Sequence, residues 1–326
     1  MAVVLGRWVA TINPIENPQW VITALAVPVF LVLNFLMMAW WLVRRRWLLA
    51  LLPLVALLVG SPFMLAMMQV CAAQSVTSCD LKVATFNVHG FRDENGLRSA
   101  VNKLSALVQE QKVDVLCLNE FRTTRDYDTA AVVAMFGMPY VTHKGAIMVL
   151  SRYPITAAAS ILFPERESNF TNGALQVDVA VAGRSVRIIA CHLQTTGVAS
   201  VERSYSQSSW SILSEQLLEA LRQNTRLRAV QVALLRQVIE NSSLPVIVAG
   251  DLNDTPSTYT YSVLSDLLTD TFIEAGHGWG GTFRGAYGVL RLDYIFADKT
   301  LACTRCDLLE LNISDHKPVV AALNFK

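Results

Sequence analysis

The chain has 326 residues, 53% of them hydrophobic and 16% charged, with a formal net charge of +1 and a mean hydropathy of +0.38. That length holds one large domain plus an appendage, and the hydropathy is high for a wholly water-soluble protein. The near-neutral balance shows no basic surplus of the kind that tracks long nucleic acid, although it leaves a local patch open.

The apolar excess is confined to the N-terminal part. Residues 20–43, WVITALAVPVFLVLNFLMMAWWLV, and 47–70, WLLALLPLVALLVGSPFMLAMMQV, contain no Asp, Glu, Lys or Arg. Each run makes a helix about 36 Å long, enough for a hydrocarbon core of about 30 Å. Pro28, Pro53 and Pro62 are compatible with membrane helices, and Trp20, Trp40, Trp41 and Trp47 sit at the run ends, where amphipathic rings favour the interface. A buried core hairpin is the competing reading, disfavoured by two adjacent charge-free runs. A signal peptide competes for 47–70, but the run is long, follows another span, and Met68-Gln69-Val70-Cys71 lacks the small residue expected before a lipid-modified cysteine.

Arg44, Arg45 and Arg46 lie between the runs, and residues 71–80 carry no Lys or Arg. The positive-inside rule therefore places the arginine turn in the cytoplasm and everything after residue 70 on the far side of the membrane, with Arg7 arguing weakly the other way. The resulting division is a short apolar or interfacial segment (1–19), a two-helix membrane hairpin (20–70), a linker (71–80, CAAQSVTSCD) and a domain over 81–326. Without Arg7, Arg44, Arg45 and Arg46 there remain 23 basic residues, and without Glu16 there remain 25 acidic ones, so the rest of the chain carries −2.

From Leu81 onward, Val- and Ile-rich runs alternate with helical patterns. Strands are predicted at 81–87, 113–119, 146–151, 174–181, 185–192, 245–250, 292–296 and 318–323, with a hairpin turn at Gly183. Helices are predicted at 96–111, 210–223 and 226–241, the last with Leu227, Val230, Leu234, Leu235 and Val238 on one face. The mixture indicates an α/β domain of mixed sheets with helices outside. Of six cysteines, Cys117 and Cys191 fall in apolar strands as buried thiols. Cys303 and Cys306 form a lone C-x-x-C with no second pair to complete a zinc site, so they, like Cys71 and Cys79, are either a disulfide or free thiols.

The stretch LPVIVAGDLNDTPST (244–258) drives a buried strand into Asp251, Asn253 and Asp254, and the pattern recurs. KVATFNVHG ends in Asn87, VDVLCLNEF in Asn119-Glu120 and VRIIACHLQ in His192; LRLDYIF carries Asp293, and ISDHKPV sets Asp315-His316 before the last strand. Singly, each is an ordinary turn, cap or rim residue. Together, strand ends gathered at one sheet edge would concentrate hard oxygen ligands with two imidazoles, chemistry that suits Mg²⁺ or Mn²⁺ and a phosphate.

TFNVHG, LNE, SRYPI, CHLQ, GDLNDTP, RLDYIF and SDHKPV, in this order, resemble the endonuclease/exonuclease/phosphatase (DNase I-like) superfamily over about residues 81–326. That superfamily includes nucleases, abasic-site endonucleases, inositol-phosphate phosphatases and neutral sphingomyelinases. The whole chain, with its hairpin and GDLNDTPSTYTYSVLSD, is similar to a membrane-anchored bacterial branch common in Bacteroidetes. The resemblance implies a four-layer α/β sandwich and Mg²⁺-dependent phosphoester hydrolysis. It implies Glu120 as principal metal ligand with Asn87 beside it, and Asp315 in the metal or hydrogen-bond shell. It further implies Asp251 and Asn253 orienting water and phosphate, and His192 donating to a phosphoryl oxygen. His316 would be base or electrostatic partner, oriented by Asp293.

Arg122, Arg125, Lys144 and Arg152 are candidate phosphate contacts, Arg152 being equally a structural residue, and the polar insertion 194–226 is a candidate lid or substrate loop. The first reading is a phosphatase or phosphodiesterase on a lipid headgroup or small phosphoester near the bilayer; the sequence does not discriminate the substrate, and no protein partner is implied. A tethered nuclease on extracytoplasmic DNA or RNA is the alternative, and a non-catalytic binding module is disfavoured because each motif keeps a competent side chain.

Overall fold

The structure, a computed structural model, describes residues 2–70, 78–91, 96–121, 129–164, 172–197 and 210–326. Helices are α1 (Ala2–Val9), α2 (Val21–Val43), α3 (Trp47–Met67), α4 (Leu97–Glu110), α5 (Thr129–Phe136), α6 (Trp210–Glu240), α7 (Tyr259–Leu267) and α8 (Thr271–Ala275). The sheet strands are β1 (Leu81–Asn87), β2 (Val115–Asn119), β3 (Tyr140–Lys144), β4 (Ile147–Ser151), β5 (Ile155–Ile161), β6 (Gly173–Val181), β7 (Arg184–His192), β8 (Val246–Asp251), β9 (Thr269–Asp270), β10 (Asp293–Ala297), β11 (Leu301–Leu308) and β12 (Val319–Phe325). The chain groups into two units. One joins Met1–Met68 to Gln194–Ala233 and Asp254–Val263; the other joins Gln69–Leu193, Leu234–Asn253 and Leu264–Lys326.

In the first unit, α2 and α3 are long and apolar enough to cross a membrane by length and composition. Gly60 of α3 lets the helices approach closely, since a Cβ there would overlap Leu31 of α2 and Val3 of α1. Residues 2–9 of the short N-terminal segment are helical, and the Trp8 and Trp20 rings meet edge to face at 5.9 Å. The predicted helices 210–223 and 226–241 are one helix, α6. Asn224 and Thr225 read as a break because their side chains compete for the backbone in isolation. Here those groups are occupied elsewhere: Asn224 Nδ2 donates to the Thr196 carbonyl and Thr225 Oγ1 accepts from Arg228.

The second unit contains two six-stranded mixed sheets, ordered β11-β12-β1-β2-β4-β3 and β9-β10-β8-β7-β6-β5. All eight predicted strands are present with ends moved by two residues or fewer. Because side chains alternate across a strand, β1 sends Ala84 and Phe86 to a helix-covered layer with Ala100, Leu104 and Val108 of α4 and Val132 and Phe136 of α5. It sends Leu81 and Val83 the other way, into a second core with Val115 and Cys117 of β2, Ile188 and Ala190 of β7, Ile247 and Ala249 of β8, and Ile295 of β10. That second core lies between the sheets, giving the sandwich with helices outside that the sequence predicted. Cys303 and Cys306 are free, buried thiols in it.

A buried ion pair ties down the start of β10. Arg291 donates from Nη1 and Nη2 to both oxygens of Asp270 at 2.7 and 2.6 Å, its guanidinium stacked 4.7 Å from the Phe272 ring and 4.5 Å from the Tyr294 ring. Both side chains are almost wholly buried, at 1% and 2% exposure, so removing one leaves the other's charge uncompensated. We expect Arg291→Met to destabilise the second unit by about 3–5 kcal/mol. In urea unfolding followed by tryptophan fluorescence, adding Asp270→Asn should recover part of that loss.

Candidate active site

The parity that builds the inter-sheet core also builds the site. Asn87 shares the strand face of Leu81 and Val83, Asn119 that of Val115 and Cys117, His192 that of Ile188 and Ala190, and Asp251 that of Ile247 and Ala249. Asp293 opens β10 on the face of Ile295. Register completes the alignment: Asn87 pairs with Asn119 across β1 and β2, while Asp251 is flanked by His192 on β7 and Asp293 on β10. Five polar side chains thus form the last row of the core, each buried. The approach is tight at Gly250, where a Cβ would overlap the Cys191 carbonyl oxygen of β7.

The row is hydrogen-bonded across the two sheets. Asn87 Nδ2 donates to Glu120 Oε1 and to Asp251 Oδ2, 3.0 Å each, and Asn87 Oδ1 accepts from the His89 backbone N–H. His192 Nε2 stands 3.6 Å from both Glu120 Oε1 and Asp251 Oδ2 and receives Asn253 Nδ2 at 3.1 Å. Asn253 Nδ2 also donates to the Leu193 carbonyl, and its backbone N–H donates to Asp251 Oδ1 at 2.8 Å. His316 Nδ1 lies 2.8 Å from Asp293 Oδ2, and its Nε2 lies 3.8 Å from Asp251 Oδ2. Glu120, Asn253 and His89 hold positive φ angles of 55°, 51° and 43°, left-handed backbone that tends to collect at functional sites.

Charge is concentrated here. Burial of the Asp251 carboxyl raises its pKa, and the neighbouring Asp293 carboxylate adds to the rise; His316, His192 and Asn87 pull it back only in part. Burial alone would lower the His316 pKa. The charges of Asp293 and Asp251 and the Asp293 hydrogen bond outweigh that and raise it to about 10, which favours the protonated ring with Nδ1 turned to Asp293. Asp315 is held below its usual range, burial being outweighed by the His89 hydrogen bond and the His316 charge.

These residues fit a hard divalent cation. An amide NH₂ bridges two carboxylates at Asn87, and Asp251, Asp293 and His316 bring ligand atoms within 4.8 Å of one another. Asp293 Oδ1 and both polar atoms of Asn119 are buried without a hydrogen-bond partner among the described residues. Carboxylate and amide oxygens suit Mg²⁺ or Mn²⁺, and the protonated His316 ring would stand beside the ion without ligating it.

Of the predicted residues, Asn87, Glu120, His192, Asp251, Asn253, Asp293 and His316 are brought together. Asp315 is set beside them, its carboxylate 2.8 Å from His89 Nδ1. Arg122 and Arg125 lie outside the described residues. Arg152 follows Ser151, which pairs with Val115 at the opposite end of β2 from Asn119, so its place is structural; its N–H donates to the Asp114 carbonyl. Lys144 ends the edge strand β3.

Sequence reading missed the supports. Thr282 Oγ1 accepts the backbone N–H groups of both Leu292 and Asp293, and the Phe283 ring packs 5.1 Å from the His316 ring. Ser314 Oγ donates to the Asn87 carbonyl and accepts from the His316 N–H, tying the loop before β12 to the end of β1. His89 stands two residues after Asn87 in NVHG, the one support that a local motif marks. Nothing local marks Thr282 or Phe283.

The sequence profile described as Endonuclease/Exonuclease/phosphatase family matches residues 84–316, and a second profile, a domain of unknown function (DUF8431), matches residues 1–67. No curated protein matches the chain. Among solved structures, an endonuclease/exonuclease/phosphatase from Beutenbergia cavernae is 22% identical, with 76% of this chain and 72% of that chain covered and a TM-score of 0.54. One from Bacteroides vulgatus is 15% identical (76% and 100% covered, TM-score 0.56). The mannosyl-6-phosphatase Bt3783 of Bacteroides thetaiotaomicron is likewise 15% identical (75% and 100% covered, TM-score 0.51). At these identities the structural likeness speaks for the fold alone. With a profile match that runs from β1 to His316 and takes in every residue of the polar row, the chain belongs to the endonuclease/exonuclease/phosphatase family.

Proposed function

We propose that the protein is a Mg²⁺-dependent phosphoester hydrolase, a phosphodiesterase or phosphatase, carried by a membrane hairpin (20–70) and a linker (71–80) with its catalytic domain (81–326) outside the cytoplasm. The observation that carries the chemistry is the hydrogen-bonded row of Asn87, Glu120, His192, Asp251, Asp293 and His316 at one end of the inter-sheet core. Phosphate esters resist hydrolysis because their own charge repels nucleophiles, so catalysis needs charge neutralisation together with a positioned base. A bound divalent cation supplies a Lewis acid for the phosphoryl oxygens.

Glu120 and Asn87 are the side chains that would hold that cation, with Asp315, 2.8 Å from His89 Nδ1, beside them. Asp251, whose proton affinity is raised by burial and by Asp293, takes the proton from the attacking water, which Asn253 helps to orient. His192 and Asn253 bind a phosphoryl oxygen. His316 serves as a positive charge rather than a base, because its raised pKa and the contact with Asp293 both favour the protonated ring. Arg122 is a substrate-contact candidate by its position two residues after Glu120.

The arginine turn Arg44–Arg46 supports the inner-membrane topology. A reporter fused after Lys326 that works only in the cytoplasm would refute export. For the chemistry, the wild type and His316→Ala should be compared with Mg²⁺ and with EDTA. The substrate panel should hold a bis-aryl phosphodiester, phospholipids, sphingomyelin, inositol phosphates, DNA and RNA. We expect both EDTA and the substitution to lower turnover by about 10²–10⁴-fold. Full activity in either condition would sink the mechanism, and preference for DNA or RNA would select a tethered nuclease.

The raised His316 pKa makes a second prediction. Its folded value of about 10 lies above the 6.5 of an ordinary histidine, so the stabilisation it confers is complete below about pH 6.5 and is lost as pH rises through about 10. The urea midpoint of the metal-free protein should fall across that interval. The fall should be much shallower in Asp293→Asn, and an unchanged pH profile in that variant would contradict the assignment.

A further inference from the structure

Proline has no N–H, so a proline inside a helix leaves the carbonyl four residues earlier without its usual partner. In an apolar helix that carbonyl needs another donor, often a Ser or Thr hydroxyl. In α3, Pro62 frees the Leu58 carbonyl, and Ser61 Oγ of the same turn donates to it at 2.8 Å. In α2, Pro28 frees the Ala24 carbonyl, and the donor comes from far away in sequence. It is Ser257 Oγ, at 2.7 Å, in a buried bond spanning 233 positions.

Ser257 lies in the segment that leaves the GDLND stretch, four residues after Asn253. That segment buries Asp254, Thr255, Ser257, Thr258 and Thr260, an arrangement that costs free energy unless each polar group finds a partner. The partners are there. Thr255 Oγ1 is 3.1 Å from Ser257 Oγ, and Thr258 Oγ1 donates to the Thr255 carbonyl. Arg228 of α6, also buried, donates from Nε to Asp254 Oδ2 at 3.1 Å, from Nη1 to the Gln194 carbonyl at 3.0 Å and from Nη2 to Thr225 Oγ1 at 3.0 Å. One guanidinium therefore holds the chain two residues after His192 and one residue after Asn253.

We propose that the first apolar helix is a positioning element of the hydrolase as well as its tether. The Ala24 carbonyl vacated by Pro28 is the fixed point to which Ser257 ties the chain leaving Asn253, and Arg228 holds the same segment at Asp254. Ser257, Pro28 and Arg228 are positioning residues that touch no reacting atom. The contact also agrees with the proposed topology. If Arg44–Arg46 face the cytoplasm, Ala24 belongs to the opposite end of α2, the side on which residues after 70 lie. The effect on turnover rests on the hydrolase reading; the tether itself does not.

The test uses the full chain in detergent or nanodiscs, as wild type, Ser257→Ala, and Ser257→Ala combined with Pro28→Ala. The single variant leaves a buried carbonyl without a donor, whereas the double variant restores a helical N–H at position 28 but not the tether. Backbone amide exchange over 254–263 should accelerate about tenfold in both variants. Turnover should fall about three- to tenfold in both, with KM within about twofold of wild type. Thermal stability should fall in the single variant and recover in the double one. Wild-type exchange over 254–263 in Ser257→Ala would overturn the tether. Recovery of kcat along with stability in the double variant would overturn the positioning role, reducing the bond to a stability contact. Should no member of the panel be hydrolysed, the exchange measurement still decides the tether, so its failure and that of the hydrolase reading are separable.

Discussion

Everything about the candidate site depends on the two-residue period of the β-strand, applied to strands whose one face is sealed between two sheets. Once Val83, Val115, Ile188, Ile247 and Ile295 commit a face to the inter-sheet core, the parity of each strand end is settled. Asn87, Asn119, His192, Asp251 and Asp293 have no choice but to project into the same layer. A one-residue slip in any of these strands would turn its polar end out of that layer and put an apolar side chain in its place. The register pairs His192–Asp251–Asp293 and Asn87–Asn119 are thus the geometric origin of the cluster.

That arrangement creates an electrostatic problem and answers it locally. Asp251 and Asp293 are fully buried and adjacent, so burial and the Asp293 charge both disfavour ionisation of Asp251. The relief comes from the His316 imidazolium and from the Asn87 amide bridging Glu120 and Asp251. Backbone held at positive φ in Glu120, Asn253 and His89 adds strain of order 1–3 kcal/mol per residue. A site that keeps buried acids and left-handed backbone together is stabilised by the apolar sandwich beneath it, and a divalent cation would offset its negative charge. Its supports, Thr282 on the Asp293 backbone and Ser314 between Asn87 and His316, fix orientations that flexible loops would leave open.

The N-terminal unit shows the same economy of backbone groups in an apolar setting. Ser61 and Ser257 meet the same need, a carbonyl stripped of its donor by proline, one from within the turn and one from a segment more than two hundred residues away. Only the first could be found by inspecting the helix. A Ser one residue before a Pro is a local pattern, whereas the Ser257 partnership exists because the chain returns to α2 after β8.

The sequence by itself determined the apolar helices, the eight interior strands and the polar residues at their ends, because each is written in local periodicity or in a short motif. In the two six-stranded sheets the strands it left unread, β3, β5, β9 and β11, all lie at the edges. An edge strand buries less, so stretches such as TAAAS in β5 or YVTHK in β3 carry no clean apolar alternation. Tertiary structure alone decided that α6 runs unbroken through Asn224-Thr225, that Arg152 sits away from the site, and that Thr282, Phe283, Ser314 and His89 support it. It also decided that the His316 pKa is raised, since that depends on the carboxylates of two paired strands meeting one ring from the loop before β12. Local order is encoded in neighbours along the chain; pKa values, cross-sheet hydrogen bonds and borrowed partners arise only when remote segments share a low-dielectric interior.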